Sequence, residues 1–234
     1  MKVIFLAAGK GERLQKLTNS TPKCLLKVGN KTMLEHWWEI FRFYSITDVL
    51  INTHYLANKV VSACSKLMDT GIKIHFVYEK ELLGTGKTIY ENRDFVKEER
   101  CFLIVYADTW MQVDLSSMVK FHKKHQGLGT IGLYKPKELK DQGVVQVTGR
   151  KITDIEEKPK KPKDGYAFAG IMIGGHGMFR FYKQGMTDLV RDWLPVIKNG
   201  LNPFYLNDLV YDIGTPERYK IACDKVHALG LKGL

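Results

Sequence analysis

Two glycines and two basic residues near the start of the chain could hold a phosphate group. Gly9 and Gly11 follow the apolar run 3–5, Arg13 comes two residues later, and Lys23 stands ten residues beyond Arg13. Glycine lets backbone amides approach a phosphate, an arginine fork binds two oxygens at once, and a lysine adds a movable point charge. This set suits a triphosphate that is held while one of its bonds breaks. A turn that merely carries surface cations is the alternative interpretation.

Two familiar phosphate motifs do not fit. As a dinucleotide fingerprint, the stretch 9–14 has Leu14 where the third glycine is needed, and the following strand pattern ends at 51–54 without an acidic residue for a ribose. As a P-loop, Gly86-Lys87-Thr88 lacks the required earlier glycine, since Glu81 stands there. The sequence therefore disfavours hydride transfer and a Walker A site.

Alternating strand and helix patterns predict the elements that position these residues. The predicted strands are 2–8, 48–52, 73–78, 101–107 and 129–134, and the predicted helices are 33–44, 59–68 and 115–125. Repeated βα units predict an α/β fold with a mostly parallel central sheet flanked by helices. Ligands of such sheets bind at the carboxyl ends of the strands, where Gly9, Gly11 and Asp108 fall.

The pattern changes in the second half of the chain. Stretches 144–148 and 152–156 predict a hairpin, and a further strand over 166–173 makes the sheet mixed. A helix over 189–197, a strand over 203–206 and a last helix starting at Thr215 follow, the last with a proline in its first turn. We expect one domain over residues 1–234, with a nucleotide-binding half 1–135 and a second half 136–234.

Composition limits the classes of protein. The chain of 234 residues is 44% hydrophobic and contains no apolar run of roughly 18 residues and no pattern of a signal peptide, which predicts a cytoplasmic protein without a membrane partner. Its four cysteines lack metal-ligand spacing, so neither zinc nor a disulfide is expected. The net charge of +11 is dispersed among 25 acidic residues, which favours a solvated basic surface over nucleic-acid binding.

Six stretches, in the same order, resemble the sugar-1-phosphate nucleotidyltransferase family. They are 6–14, 21–25, 83–86, 107–108, 156–159 and 212–216, and together they cover nearly the whole chain. Its length is similar to that of short members such as the mannose- and heptose-1-phosphate guanylyltransferases. The resemblance implies a Rossmann-like nucleotidyltransferase fold with a small antiparallel hairpin region that binds the sugar, so that the half 136–234 is expected to bind the sugar phosphate. It also implies the reaction of a nucleoside triphosphate with a sugar 1-phosphate to give a nucleoside diphosphate sugar and pyrophosphate.

The resemblance also implies which residues bind the nucleotide. Arg13 would hold the β- and γ-phosphates, Lys23 would lie by the α-phosphate, and Thr85 would lie against the base unless it is simply a turn residue. Arg13, Lys23, Asp108 and Lys158 are the implied catalytic residues. The full implied nucleotide set is Leu6, Ala8, Gly9, Gly11, Arg13, Lys23, Gly84, Thr85 and Asp108.

A metal ion and a sugar phosphate are implied in the same way. Asp108 and Asp212 would hold Mg²⁺, Lys158 would bind the phosphate of the sugar phosphate, Glu157 would take sugar hydroxyls, and Gly170 would let the sugar approach the backbone. The alternatives are that the two aspartates cap helices and that the glutamate and lysine form an exposed hairpin pair.

The favoured substrates are GTP and a mannose- or heptose-type 1-phosphate, because the turn 83–86 resembles those enzymes. Uridylyl or cytidylyl transfer, also to a non-sugar phosphate such as phosphocholine, is one alternative, and a non-catalytic nucleotide-binding regulatory subunit is another. We expect a monomer or homodimer that does not bind nucleic acid. Two departures from the family pattern adjoin Asp108: Ala107 replaces a common glycine, and the bulky Thr109-Trp110 follows.

Overall fold

The computed structural model describes residues 1–67, 71–206 and 209–230. These residues form two compact units, which we describe separately. The first consists of Met1–Leu82, Val105–Gln112 and Val210–Leu234, and the second of Leu83–Ile104 and Val113–Leu209. The expectation of a single domain with halves 1–135 and 136–234 stays a prediction.

Strands and helices alternate through most of the described chain. The strands are β1 (Lys2–Leu6), β2 (Lys27–Val28), β3 (Lys31–Thr32), β4 (Asp48–Thr53), β5 (Lys73–Tyr78), β6 (Cys101–Tyr106), β7 (Thr109–Met111), β8 (Gly129–Tyr134), β9 (Gly143–Thr148), β10 (Lys151–Glu157), β11 (Tyr166–Gly175), β12 (Leu201–Tyr205) and β13 (Val210–Asp212). The helices are α1 (Met33–Phe43), α2 (Ala57–Ser65), α3 (Thr85–Glu91), α4 (Leu115–His125), α5 (Leu194–Ile197) and α6 (Pro216–Ala228).

The first unit is built on parallel strands. β4 pairs with both β1 and β5 in parallel, and the apolar side chains in the middle of β1 are fully buried. Helix α1 begins with a capping box, in which Thr32 and Glu35 each accept a hydrogen bond from the other's backbone N–H. Trp37 and Phe41 of this helix pack edge-on against Phe5 of β1. The aromatic stripe of α1 is therefore part of the core.

The second unit has a mixed sheet. β9 and β10 form the predicted hairpin, β11 pairs antiparallel with both β9 and β8, and β12 lies parallel to β8. Parallel pairing in the first unit and mixed pairing in the second confirm the α/β class with a mixed sheet flanked by helices. The antiparallel hairpin region is also confirmed as structure, whereas its role in sugar binding stays a prediction.

Several elements differ from the sequence expectation. The helix expected over 189–197 is interrupted: a wide helical turn, Leu189–Trp193, precedes α5, because Pro195 has no N–H to bond back to the preceding turn. The helix expected over 59–68 runs from Ala57 to Ser65, and residue 68 lies outside the described residues. The strands β7 and β13 are three residues each and pair with one another. No helix of the described residues is both long and apolar enough to cross a membrane.

Candidate active site

The loop after β1 has the shape that its glycines permit. Gly11 has φ +69°, and a Cβ at this position would lie 2.9 Å from Cγ2 of Thr18. The Gly11 carbonyl accepts hydrogen bonds from the backbone N–H of Leu14 and from the Thr18 hydroxyl, at 2.8 Å and 2.9 Å. A side chain at Gly9 would meet no atom within 4 Å. The turn itself thus requires glycine at position 11, whereas a side chain at position 9 would extend into open space.

The beginning of this loop is anchored to the ends of the neighbouring parallel strands. The Ala7 N–H donates to Oδ1 of Asn52 at 2.7 Å, and Nδ2 of Asn52 donates to the Glu79 carboxylate at 2.8 Å. The side chains of Asn52 and Glu79 are buried. At the same strand end the Leu6 carbonyl accepts from the Ala107 N–H, and Ala8 is buried. The backbone of this predicted nucleotide loop is therefore fixed by hydrogen bonds at the carboxyl ends of β1 and β4.

Lys23 and Asp108 contact each other directly. The Lys23 ammonium donates to Oδ2 of Asp108. The Lys23 side chain is 12% exposed and the Asp108 side chain is 34% exposed. Burial raises the pKa of the Asp108 carboxyl, but the charge and hydrogen bond of Lys23, with a smaller contribution from Arg13, outweigh it and hold that pKa below its usual range. Asp108 is therefore a carboxylate at neutral pH, and the predicted phosphate ligand Lys23 is its counter-ion.

The ribbon of β7 and β13 brings Asp212 next to Asp108. Asp212 lies opposite Thr109 in the antiparallel register, and the Ile213 N–H donates to the Asp108 carbonyl at 3.0 Å. The two predicted metal ligands, 104 residues apart in sequence, therefore lie at one end of this ribbon.

Arg218 binds Asp212, and Arg13 lies near the turn that follows Asp212. Nη1 of Arg218 donates to Oδ2 of Asp212 at 2.8 Å, and the N–H of Gly214 donates to Oδ1. A Cβ at Gly214 would lie 3.1 Å from Nη2 of Arg13 and 2.7 Å from Oδ1 of Asp212, so the Arg13 guanidinium passes close to this turn. The first unit thus gathers all four of the predicted charged residues that it contains, and adds Arg218.

The carboxylate oxygens of Asp108 and Asp212 are of the donor type that a magnesium ion prefers. Within the described residues no group of three or more His, Cys, Asp or Glu side chains could hold a metal ion, so Asp108 and Asp212 remain as a pair. Mg²⁺ typically binds one or two carboxylates and completes its octahedron with water and phosphate oxygens. A pair of hard oxygen donors beside Arg13 and Lys23, which can hold phosphate, matches that preference.

The thiol next to Lys23 is not a nucleophile. Cys24 is buried, and burial raises the pKa of its thiol to about 12. The buried Cys64 thiol has its pKa raised to about 12 for the same reason. Cys24 is therefore a buried, protonated thiol at neutral pH, which does not suit a nucleophile.

In the second unit, the glycines of the turn 83–86 serve a close backbone contact. Gly84 has φ +82°, and a Cβ there would lie 2.5 Å from the Thr187 carbonyl oxygen. That carbonyl accepts from the Gly86 N–H at 2.8 Å, while the Thr85 hydroxyl donates to Asp188 at 3.2 Å and accepts from the Leu189 N–H at 2.8 Å. The Thr85 hydroxyl therefore connects the start of α3 to Asp188 and Leu189. A contact of Thr85 with a nucleotide base stays a prediction.

Glu157 and Lys158 lie together at the end of β10. The Glu157 carboxylate and the Lys158 ammonium are 3.0 Å apart, and the Lys158 side chain is 49% exposed. Lys158 has φ +50°, and its N–H donates to the Gln142 carbonyl at 2.9 Å. Gly170, with φ +73°, lies where the pairing of β11 with β8 shifts register. Exposure leaves Lys158 available to an anion, as its predicted role requires.

Sequence reasoning missed three residues that support the site. Arg218 binds Asp212, Asn52 holds the Ala7 amide, and Asp188 holds Thr85. A partial signal existed for Arg218, which lies in the first turn of the helix that starts just after Asp212. Nothing in the local pattern marked Asn52 or Asp188, because their partners lie 45 and 103 residues away.

The chain resembles proteins of one enzymatic group along its length. Residues 2–227 match the family described as Nucleotidyl transferase. The mannose-1-phosphate guanyltransferases of Aspergillus oryzae and Saccharomyces cerevisiae are 30% and 28% identical over 226 residues, 94% of this chain. The chain spans 62% and 63%, respectively, of the length of these curated relatives.

Solved structures show the same fold. The crystal structure of a Bacillus anthracis protein with a provisional assignment as glucose-1-phosphate thymidylyltransferase, in complex with sucrose, has a TM-score of 0.86 and 26% identity, over 100% of this chain and 96% of the other. HddC from Yersinia pseudotuberculosis, complexed with GMP-PN, has a TM-score of 0.81 over 96% of this chain and 98% of the other; at 23% identity it shows the fold alone. The predicted Rossmann-like nucleotidyltransferase fold is confirmed, and since the family match extends over residues 2–227, the chain belongs to the nucleotidyl transferase family.

Proposed function

We propose that this chain joins a nucleoside triphosphate to a sugar 1-phosphate, releasing pyrophosphate, with GTP and a mannose-type 1-phosphate as substrates. The observation that carries the proposal is the grouping of Arg13 and Lys23 with Asp108 and Asp212 in the first unit. The names of the relatives that are about 30% identical, mannose-1-phosphate guanyltransferases, support the choice of substrates.

The chemistry explains why cations dominate this site. An oxygen of the sugar phosphate forms a bond to the α-phosphorus while the bond from that phosphorus to the bridging oxygen breaks, and pyrophosphate leaves with the electron pair. Because the nucleophile, the centre and the leaving group are all anionic, the protein must neutralise charge rather than supply a strong base. Arg13 would bind the departing phosphates, Lys23 the α-phosphate, and Lys158 the phosphate of the acceptor.

Lys23 has two possible partners in this scheme. In the ligand-free protein its ammonium neutralises Asp108. A bound triphosphate offers it a second anion, and a lysine on a flexible stem can exchange or bridge the two. Asp108 and Asp212 would hold Mg²⁺, which would add positive charge on the phosphate oxygens.

The base and sugar are decided by an assay of pyrophosphate release. GTP, UTP, CTP, dTTP and ATP are each incubated with Mg²⁺ and mannose 1-phosphate, glucose 1-phosphate, a heptose 1-phosphate or phosphocholine. We expect the highest kcat/KM with GTP and mannose 1-phosphate. A clear preference for another pair would retain the reaction class and replace the substrates.

The same assay separates an enzyme from a non-catalytic nucleotide-binding subunit. Retention of Asp108 and Asp212 favours the enzyme, because a subunit that only binds nucleotide has no need of two metal ligands. Failure to release pyrophosphate with every pair, from protein that melts cooperatively and binds GTP, would refute the enzymatic proposal. A cytoplasmic location and a monomeric or homodimeric state accompany the proposal as predictions.

A further inference from the structure

Trp110, the bulky residue two positions after Asp108, is enclosed on both sides. It is 4% exposed, its ring stacks on that of His36 with 4.9 Å between centroids, and its other neighbour is Tyr211 at 5.8 Å. His36 belongs to α1 and Tyr211 to β13. Trp110 therefore joins the strand that follows Asp108 to the helix on one side and to the strand of Asp212 on the other.

The backbone of β7 is attached to the same helix. Nε1 of Trp37 donates to the Thr109 carbonyl at 3.0 Å, and Nε2 of His36 donates to the Met111 carbonyl at 2.9 Å. The carbonyl of Asp108 turns the other way and accepts from the Ile213 N–H. Because carbonyls alternate sides along a strand, α1 binds one edge of β7 and the chain after β13 binds the other.

This attachment decides whether the ribbon is ordered. β7 and β13 have three residues each, and an isolated two-stranded ribbon of that length is not stable in water. Helix α1, in contrast, has a capping box and packs its buried aromatic face against Phe5. The rigid partner is therefore the helix, and the dependent partner is the ribbon that ends in Asp108 and Asp212.

We propose that His36 and Trp37 are positioning residues, which hold Asp108 and Asp212 in place through two hydrogen bonds to β7 and the ring stack on Trp110. The proposal rests on the proposed function in so far as those two carboxylates serve nucleotidyl transfer. Neither His36 nor Trp37 needs to touch substrate, since both act on the ribbon from its α1 side.

Single substitutions separate the hydrogen bonds from the packing. Trp37→Phe removes the N–H donor and keeps an aromatic ring in the core. His36→Gln keeps a side-chain N–H donor and loses the ring, whereas His36→Phe keeps a ring to stack on Trp110 and loses the donor. Trp38→Phe is the matched control, because Trp38 is equally buried in the same helix and packs against Phe41.

The first measurement is amide hydrogen exchange in the ligand-free protein. We expect Trp37→Phe to speed exchange of the Ile213 amide on the order of tenfold, as the loss of a buried hydrogen bond implies, and Trp38→Phe to leave it within twofold. Equal exchange in both variants would overturn the proposal. If Trp37→Phe does not fold, His36→Phe and His36→Gln are each compared with Trp38→Phe instead. Faster exchange of the Ile213 amide is expected in both, because the first loses the hydrogen bond to β7 and the second loses the ring stack.

The second measurement is the split between kcat and KM. We expect Trp37→Phe to lower kcat about tenfold with the KM for the nucleotide within twofold, because misplaced groups act on the transition state more than on binding. A raised exchange rate with unchanged kcat would also overturn the proposal. If the wild type releases no pyrophosphate, the proposed function fails, whereas the exchange measurement still shows whether α1 orders the ribbon.

Discussion

The ammonium of Lys23 is paired with Oδ2 of Asp108, a residue 85 positions away in the sequence. Two side chains implied to serve different partners, a phosphate and a metal ion, thus neutralise each other in the ligand-free protein. Each charge stabilises the other in a half-buried environment, where an unpaired charge would be costly. An anion that binds Lys23, as the proposed function requires, would therefore compete with an existing interaction.

Asp108→Asn should lower turnover at least about 100-fold, because in the proposed reaction it removes a charge that helps to organise the transition state. Pyrophosphate release measures the effect. Asp224→Asn, on an exposed position of α6, is the control for the same chemical change and should keep full activity. Near-normal turnover in Asp108→Asn would contradict the role of this carboxylate.

The ion pair itself can be measured by a double-mutant cycle. Lys23→Met, Asp108→Asn and the double variant should give a coupling free energy of unfolding of about 1 kcal/mol, since the groups are in contact and half-buried. Urea denaturation at neutral pH provides the three differences. Additive effects would show that the pair does not contribute to stability.

The two loop glycines should respond differently to alanine. Gly11→Ala should cost about 1–2 kcal/mol of unfolding free energy, because φ is +69° and the new Cβ would contact the Thr18 methyl. Gly9→Ala meets no neighbouring atom, so it should leave the melting temperature unchanged and weaken nucleotide binding. Adding Thr18→Ser should recover part of the Gly11→Ala loss. Unaltered nucleotide affinity in Gly9→Ala would argue against an approach of phosphate to this backbone.

Arg218, which the sequence analysis did not select, should matter for Asp212. Arg218→Met leaves Oδ2 of Asp212 without its 2.8 Å donor and should reduce activity roughly tenfold at a stability cost of about 1–2 kcal/mol. Arg42→Met, an exposed arginine in the last turn of α1, is the control. Comparable activity in the two variants would mean that Asp212 does not depend on this contact.

His36 should make stability depend on pH. Burial, opposed by the bond to the Met111 carbonyl and reinforced by nearby Lys31, lowers its pKa from 6.5 to about 4. The unfolded chain therefore binds more protons than the folded one between these values, so stability is present above pH 6.5 and is lost as the pH falls towards 4. The loss should be on the order of 2–3 kcal/mol. Denaturation of the wild type and of His36→Gln at pH 7 and pH 4.5 checks this, with a smaller drop expected in the variant.

Much of the fold could be predicted because its strands are simple in pattern. β5, β8 and α4 have the bounds that the sequence indicated, since both strands are short runs rich in β-branched and aromatic residues and α4 has a 3.6-residue period. The three-residue strand β7 and its pairing with β13 could not be predicted, because so short a segment has no period of its own. The two strands exist through pairing with each other and through the contacts of α1.

The candidate site, like the fold, has one part that could be predicted from the sequence and one part that could not. The sequence alone determined which charged residues follow the strand ends. It also selected Gly9 and Gly11 as glycines of a phosphate loop, and Asp108 and Asp212 as acidic residues in separate motifs. Only the tertiary structure decided that Lys23 meets Asp108, that Arg218 meets Asp212, and that Trp110 is stacked on His36. The physical reason is range: local pattern records what each residue prefers, whereas a contact between residues far apart in sequence depends on strand register and helix packing.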